Sequence, residues 1–238
     1  MHPTNCLNCA TMLTADDRFC PSCGQKTDTP RLNMKHIWHE VFHAFTHTDK
    51  GFIHVMKELL RRPGHVAREY VEGKRKRYFN PFSFLIIVVA VTTFLVSSFD
   101  LMAMGRKDPI SVFINKHANF IIFLNVPIDA LFTWLFFIRS GKTYAENLVL
   151  SAYASGERSV FYSLVVVPLM LAMPQHSLKV IYVYLAAWVL YKAWAATQFF
   201  SRRDAWGYTR GIVAAFLPQV IIYCLIFAAY YIYFRYYR

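Results

Sequence analysis

Gly73-Lys74-Arg75-Lys76-Arg77-Tyr78-Phe79-Asn80-Pro81 is the joint of this chain. Ahead of it lie a cysteine cluster and histidine-rich polar helices. Behind it the sequence is nearly all apolar runs. Four consecutive cations do not enter lipid cheaply, so they stay in water beside anionic headgroups. Tyr78 and Phe79 suit a membrane interface, and Pro81 can open a helix. The nonapeptide therefore marks where polar protein stops and bilayer begins.

The 238 residues are 56% hydrophobic and carry a net charge of +12. A soluble domain can reach that hydrophobic fraction. The distribution decides, because the apolar residues fall in runs of about 18–23. Runs over 82–99, 120–138, 160–173, 178–200 and 212–234 predict an all-α polytopic membrane bundle of about five spans. The expected organisation is a zinc ribbon over 1–30, cytoplasmic or interfacial amphipathic helices over 31–80, and a transmembrane helical domain over 81–238. The third run is short. Either its helix starts near Tyr144 and carries Glu157 and Arg158 into the bilayer, or a separate interfacial helix over 144–155 breaks at Gly156. The second reading is preferred, since burying an ion pair is costly.

The basic excess is read first as membrane orientation and lipid attraction at Lys74, Arg75, Lys76 and Arg77. Nucleic-acid binding ranks second, because the densest cluster abuts a span. The same flank predicts a cytoplasmic N-terminus. No secretory signal stands ahead of the cysteines, which fits uncleaved insertion. The Tyr-rich end from Tyr230 to Tyr237 reads as an interfacial belt.

Cys6-Leu7-Asn8-Cys9 and Cys20-Pro21-Ser22-Cys23-Gly24 are paired CxxC knuckles. Four thiolates at these spacings suit one tetrahedral structural zinc. Thiolate ligands also require a reducing compartment, which agrees with a cytoplasmic N-terminus. So short a segment has little core, so the metal supplies much of its folding energy.

Ile37, Trp38, Val41, Phe42 and Phe45 form an apolar stripe at helical spacing, with His36, His39, Glu40, His43 and His47 on another face. His39-Glu40-Val41-Phe42-His43 is a literal HExxH, in which two His at i and i+4 bind zinc and Glu serves as base. His47, Asp49 and Glu58 are the third-ligand candidates. Too few residues precede the membrane for a protease cleft, so an exposed or headgroup-facing histidine face is the expectation. Asp129 and Lys192 sit inside the second and fourth runs at similar depth. Intramembrane charges pair, line a polar path, or snorkel.

Three stretches together resemble a known family. CxxC…CPxCGQK, HExxHAFTHxDKGF and RPGxxxREYxxGKRKRYFNPF are similar to an uncharacterised bacterial domain-of-unknown-function family of zinc-ribbon polytopic membrane proteins. The resemblance is dense from Cys6 to about Phe84. It implies a bacterial inner membrane and a helical bundle, and no established activity. Cys6, Cys9, Cys20 and Cys23 match the ribbon ligands. The function expected is a membrane-embedded, non-enzymatic protein whose ribbon binds a protein partner as anchor, assembly platform or sensor. A small transporter using Asp129 and Lys192 is the alternative, and an HExxH metalloprotease the third.

Overall fold

The structure is a computed structural model, and it describes residues 5–35, 37–38, 51–98 and 117–236. Its elements are helical. Two short helices lead in: α1 over Phe52–Arg61 and α2 over Pro63–Val71. Then come α3 over Pro81–Ser98, α4 over Ala118–Phe136 and α5 over Tyr144–Phe161. A π-helical stretch over Tyr162–Val166 joins α5 to α6 over Val167–Ala172. The last two are α7 over Ser177–Phe200 and α8 over Ala205–Tyr236. Among the described residues there is no β-strand. Two isolated bridges, Asn5 with Met12 and Phe19 with Lys26, close the two cysteine loops.

Among the described residues three helical stretches are long and apolar enough to cross a membrane: Asn119–Phe136, Pro174–Phe199 and Ala205–Arg235. Pro81–Leu95 is a shorter apolar helix. The chain is thus a membrane protein by the length and composition of these helices. Central to the bundle is α5, which packs against α1, α2, α3, α4 and α7. On the other side, α8 covers α4 and α7.

The helix carrying the third apolar run differs from expectation. It starts at Tyr144 and passes through Gly156 without a break. Thr143 caps it by accepting from the Glu146 amide, while the Glu146 carboxylate takes the Thr143 amide, a reciprocal capping box. No separate interfacial helix over 144–155 exists. The reason is packing. A Cβ on Gly156 would lie 2.6 Å from the Phe84 ring, so glycine serves a close helix approach here and not a stop. Continuity carries Glu157 inside, where it is buried.

The joint is also more enclosed than its sequence suggests. Tyr78 and Phe79 are 4% and 3% exposed, and so lie in the protein core instead of at an interface. The cause is Glu69 on α2. Tyr78 Oη donates to Glu69 Oε2 at 2.7 Å, and Arg62, Lys74 and Arg77 all lie within ion-pair distance of the same carboxylate. With that counter-charge the basic run folds back over α2. Phe79 then joins the core around Val55, Leu59, Val66 and Tyr153. Tyr153 Oη donates to the Phe79 carbonyl at 2.6 Å. Asn80 Oδ1 accepts from the Phe82 and Ser83 amides, which caps α3.

The head is seated on the bundle at the end of α7. Arg68 donates to the carbonyls of Gln198 and Phe199, groups that a helix C-terminus leaves unpaired. The Gly64 amide donates to Gln198 Oε1 at 3.0 Å. Here too the glycine is steric, since a Cβ would fall 2.0 Å from the Ala195 carbonyl oxygen. The ends of α4, α5 and α7 gather beside it: the Phe137 and Phe200 rings stack at 4.2 Å, and Lys142 Nζ lies 5.5 Å from the centre of the Phe199 ring.

Burial pushes the Glu69 carboxyl up. The Tyr78 hydrogen bond, with Lys74, Arg62 and Arg77, outweighs it and holds the carboxyl below its ordinary value of 4.5. A depressed folded-state pKa contributes stability above the unfolded value and loses it as pH falls through the folded one. Thermal unfolding in detergent therefore shows wild type losing stability as pH drops below about 4.5. Glu69→Gln is expected to be less stable at neutral pH and to decline less steeply on the acid side. Metal release at low pH is common to both proteins, so the difference in slope is the readout. Equal slopes would show that Glu69 does not organise the joint.

Candidate metal centre and buried ion pair

The two knuckles are built alike. In the first, the Cys6 amide donates to the Thr11 carbonyl and the Ala10 amide to the Cys6 carbonyl. In the second, Cys20 donates to Gln25 and Gly24 to Cys20, with the same offsets. Each turn ends in a left-handed residue, Ala10 at φ 62° and Gly24 at φ 70°. Glycine is the ordinary solution to that geometry, and the first knuckle manages it with alanine.

The repeated turn aims four sulfurs at one centre. All four Sγ atoms lie within 4.8 Å of one another. Cys6 and Cys23 are 3.6 Å apart, and Cys9 and Cys20 are 3.5 Å apart. A tetrahedron with metal–sulfur bonds of about 2.3 Å has edges of about 3.8 Å, so the set closes around a metal ion such as zinc with little adjustment. The donor chemistry fits as well. Burial pushes the Cys6 thiol up to about 11, against amide hydrogen bonds from Cys9 and Asn8. Hydrogen bonds from the Thr11 side chain and backbone hold Cys9 down at about 6. A bound cation removes that contrast by deprotonating every ligand.

The ribbon is fastened to the joint. Gln25, the residue after Gly24, donates from Nε2 to the Gly73 carbonyl at 2.8 Å and accepts from the Lys76 amide at 3.2 Å. Arg75 donates to the Pro30 carbonyl. Arg31 reaches Glu146 at 2.7 Å and the Gly141 carbonyl. Sequence reasoning passed over Gln25, Glu69 and Arg68. The available signal for Glu69 was an acid three residues before a turn that leads into a run of cations.

The other candidates divide. Asp129 and Lys192 meet: Lys192 Nζ donates to Asp129 Oδ2 at 2.6 Å and to Ser151 Oγ at 3.1 Å, with side chains 2% and 1% exposed. Along their helices Asp129, Ser151 and Lys192 each sit about 10–12 Å from the ribbon-side end. The backbones of α4 and α7 scarcely approach, and α5 and α8 lie between them. The pair forms because the long lysine crosses that gap, steered by Ser151. Asp129 Oδ1 and Asn147 Oδ1 have no hydrogen-bond partner among the described residues, nor does either oxygen of Glu157. Arg158, next to Glu157, bonds instead to Tyr184 Oη and Gln219 Oε1. His36, His39, Glu40, His43, His47 and Asp49 lie outside the described residues. Glu58 is engaged by Arg62.

Comparison with known proteins adds one finding. A profile described as a protein of unknown function, DUF3667, matches residues 49–93. That stretch runs from the approach to α1, through the joint, into α3. The chain is similar there to an uncharacterised domain family. No curated protein and no solved structure matches it.

Cys20→Ser is expected to abolish metal binding, with unchanged insertion of the helices, as read by metal content per purified chain. Ala10→Gly is expected to tighten the ribbon by up to about 1 kcal/mol, because a left-handed alanine is strained. A competition titration with a chelator measures it, and weaker metal retention would refute the knuckle geometry.

For the pair, removing one charge strands the other, whereas removing both does not. Asp129→Asn and Lys192→Met should each lower stability by about 3–5 kcal/mol, with the double variant nearer to wild type. Additive losses in a double-mutant cycle would mean that the two groups are independent.

Proposed function

We propose that the chain is a membrane-embedded, non-enzymatic platform. On this reading one structural zinc, held by Cys6, Cys9, Cys20 and Cys23, shapes a ribbon that presents a binding face to a protein partner. The observation carrying it is the double clamp of Gln25 on Gly73 and Lys76. A ribbon held so is a fixed part of the head, not a tethered module. Its outward side offers Met12 and Phe19 at 80% and 60% exposure, which suits an apolar contact.

The rest of the reading concerns the bilayer. We assign five crossings: α3, α4, the rod from Tyr144 to Ala172, α7 and α8. The ribbon side carries Arg139, Lys142, Arg202, Arg203 and Arg210 besides the basic joint, against Arg106, Lys107 and Lys116 in the loop after the first span, and the flank of the first span favours a cytoplasmic N-terminus by the positive-inside rule. A bacterial inner membrane is the setting implied by the resemblance. Lys76 and Arg77, exposed at the joint, are the residues offered to anionic headgroups. Lys74 and Arg75 are drawn inward to Glu69 and Pro30.

A second reading rests on the buried polar groups. Asp129 Oδ1 and the Glu157 carboxyl are enclosed without hydrogen-bond partners among the described residues, and intramembrane ionisable groups mark paths for a proton or small polar solute. A gradient-driven flux in proteoliposomes that disappears in Asp129→Asn would favour it over the platform.

A photoreactive residue at position 12 or 19 tests the leading reading. The expected result is one partner crosslinked to the metal-loaded protein and not to Cys20→Ser, with no product from the same probe at Asp28. Equal crosslinking with and without metal would remove the ribbon from the interaction.

A further inference from the structure

A cavity of about 400 Å³ opens between the ribbon-side end of α4 and the first turns of α8. Arg139 stands on one wall and Arg210 on the other, with Trp206 beside them. The Arg210 guanidinium lies 4.9 Å from the centre of the Trp206 ring. Among the described residues no carboxylate lies within ion-pair distance of either arginine, while the other ion pairs engage Arg31, Arg62, Lys74, Arg77 and Lys192. Two uncompensated forks thus face one volume.

Apart from Thr209, whose hydroxyl donates to the Ala205 carbonyl, the remaining walls are apolar. Leu135 and Val213 line the cavity, and Leu131 and Phe216, about one turn deeper, are 40% and 54% exposed. The cavity therefore opens at its deep end onto lipid-facing helix surface. A guanidinium pair above an apolar track, with an indole at the border, matches a lipid whose phosphate sits at the helix ends and whose chains run along the bundle.

We propose that this cleft binds one anionic phospholipid, with Arg139 and Arg210 on the phosphate, Trp206 at the glycerol level and Leu131, Leu135, Val213 and Phe216 along an acyl chain. The proposal rests on the reading that α4 and α8 cross a bilayer. It is distinct from the joint, since neither Lys76 nor Arg77 lines this cavity. A free phosphate would satisfy the arginines equally but leaves the apolar track unused, so the lipid is the occupant favoured.

Native mass spectrometry of the full chain in detergent tests this with phosphatidylglycerol, phosphatidylcholine and inorganic phosphate as probes. The expected result is one phosphatidylglycerol retained at least about tenfold more tightly than phosphatidylcholine, a preference lost in Arg139→Gln/Arg210→Gln, since each factor of ten is about 1.4 kcal/mol. Lys76→Gln/Arg77→Gln should keep it. If the glutamine variant does not fold, Arg139→Lys/Arg210→Lys retains charge without the fork and should reduce the preference in part. Equal binding of the two lipids, no effect of either arginine variant, or displacement by millimolar phosphate would overturn the proposal. Carbonate extraction of the protein from membranes reads the bilayer-crossing premise separately: release there would undo that premise, whereas retention with no lipid preference would sink the lipid site alone.

Discussion

The Glu69 carboxylate is the interaction on which the arrangement depends. Four consecutive cations repel one another and prefer water. Glu69 faces Arg62, Lys74 and Arg77 and accepts from Tyr78. Any one such pair near the surface is worth little, about 0–1 kcal/mol. Their value here is geometric. Anchored to one carboxylate through Lys74 and Arg77, the basic run turns back and buries Tyr78 and Phe79. That burial brings the Phe79 carbonyl to Tyr153 and leaves Asn80 at the start of α3. The exposed backbone of the turn, at Gly73 and Lys76, is what Gln25 then grips.

Head and bundle are consequently one packed body. Arg68 and Gly64 hold α2 on the last turn of α7, where cationic groups are favoured by the helix dipole. Lys192 lies on that same helix, about two turns from Gln198. An unbroken series of contacts therefore runs from the cysteines through Gln25, the joint and α2 to α7. Contiguity of this kind is a structural precondition for coupling and not its demonstration, which requires two states biased from both ends. It does mean that loosening the ribbon would be felt first at Gly73 and Lys76, inside the stretch matched by the DUF3667 profile.

How far the residues alone disclosed this follows from the range of each interaction. The cysteine cluster was legible because local turn geometry sets ligand spacing. The apolar runs were legible as helices because lipid leaves the backbone few alternatives. Asp129 and Lys192 were legible as two charges at equal depth, with pairing one of three readings, and the crossing by way of Ser151 was not. What escaped was set by contacts distant in sequence. Gly156 resembles a helix breaker until Phe84, on another helix, occupies its open side. Tyr78 and Phe79 resemble interface residues until Glu69 folds them inward. Glu157 resembled a loop residue for the same reason as Gly156, because a continuous α5 carries it in. Arg139 and Arg210 lie 71 residues apart in the sequence, and only the packing of α4 against α8 brings them to one cavity.

The polar groups inside the bundle are not explained by stability. Burying a carboxylate and an ammonium costs several kcal/mol per ion, and their attraction returns that only with full hydrogen bonding. Among the described residues Lys192 has two partners, Asp129 and Ser151, but the Asp129 carboxylate uses one oxygen. Asn147 and Glu157 are similarly incomplete. Apolar side chains of like volume would pack these positions at equal or lower free energy. A half-satisfied network is therefore a worse core than none. Specific positioning of α4 against α7 is one return on that cost, because their backbones scarcely approach. It accounts for the pair and for Ser151. It does not account for Glu157, whose carboxyl bridges no two helices among the described residues. That residue is where the platform reading and the polar-path reading part: a platform has no use for a buried carboxyl with no partner among those residues, whereas a path for protons or a small solute does.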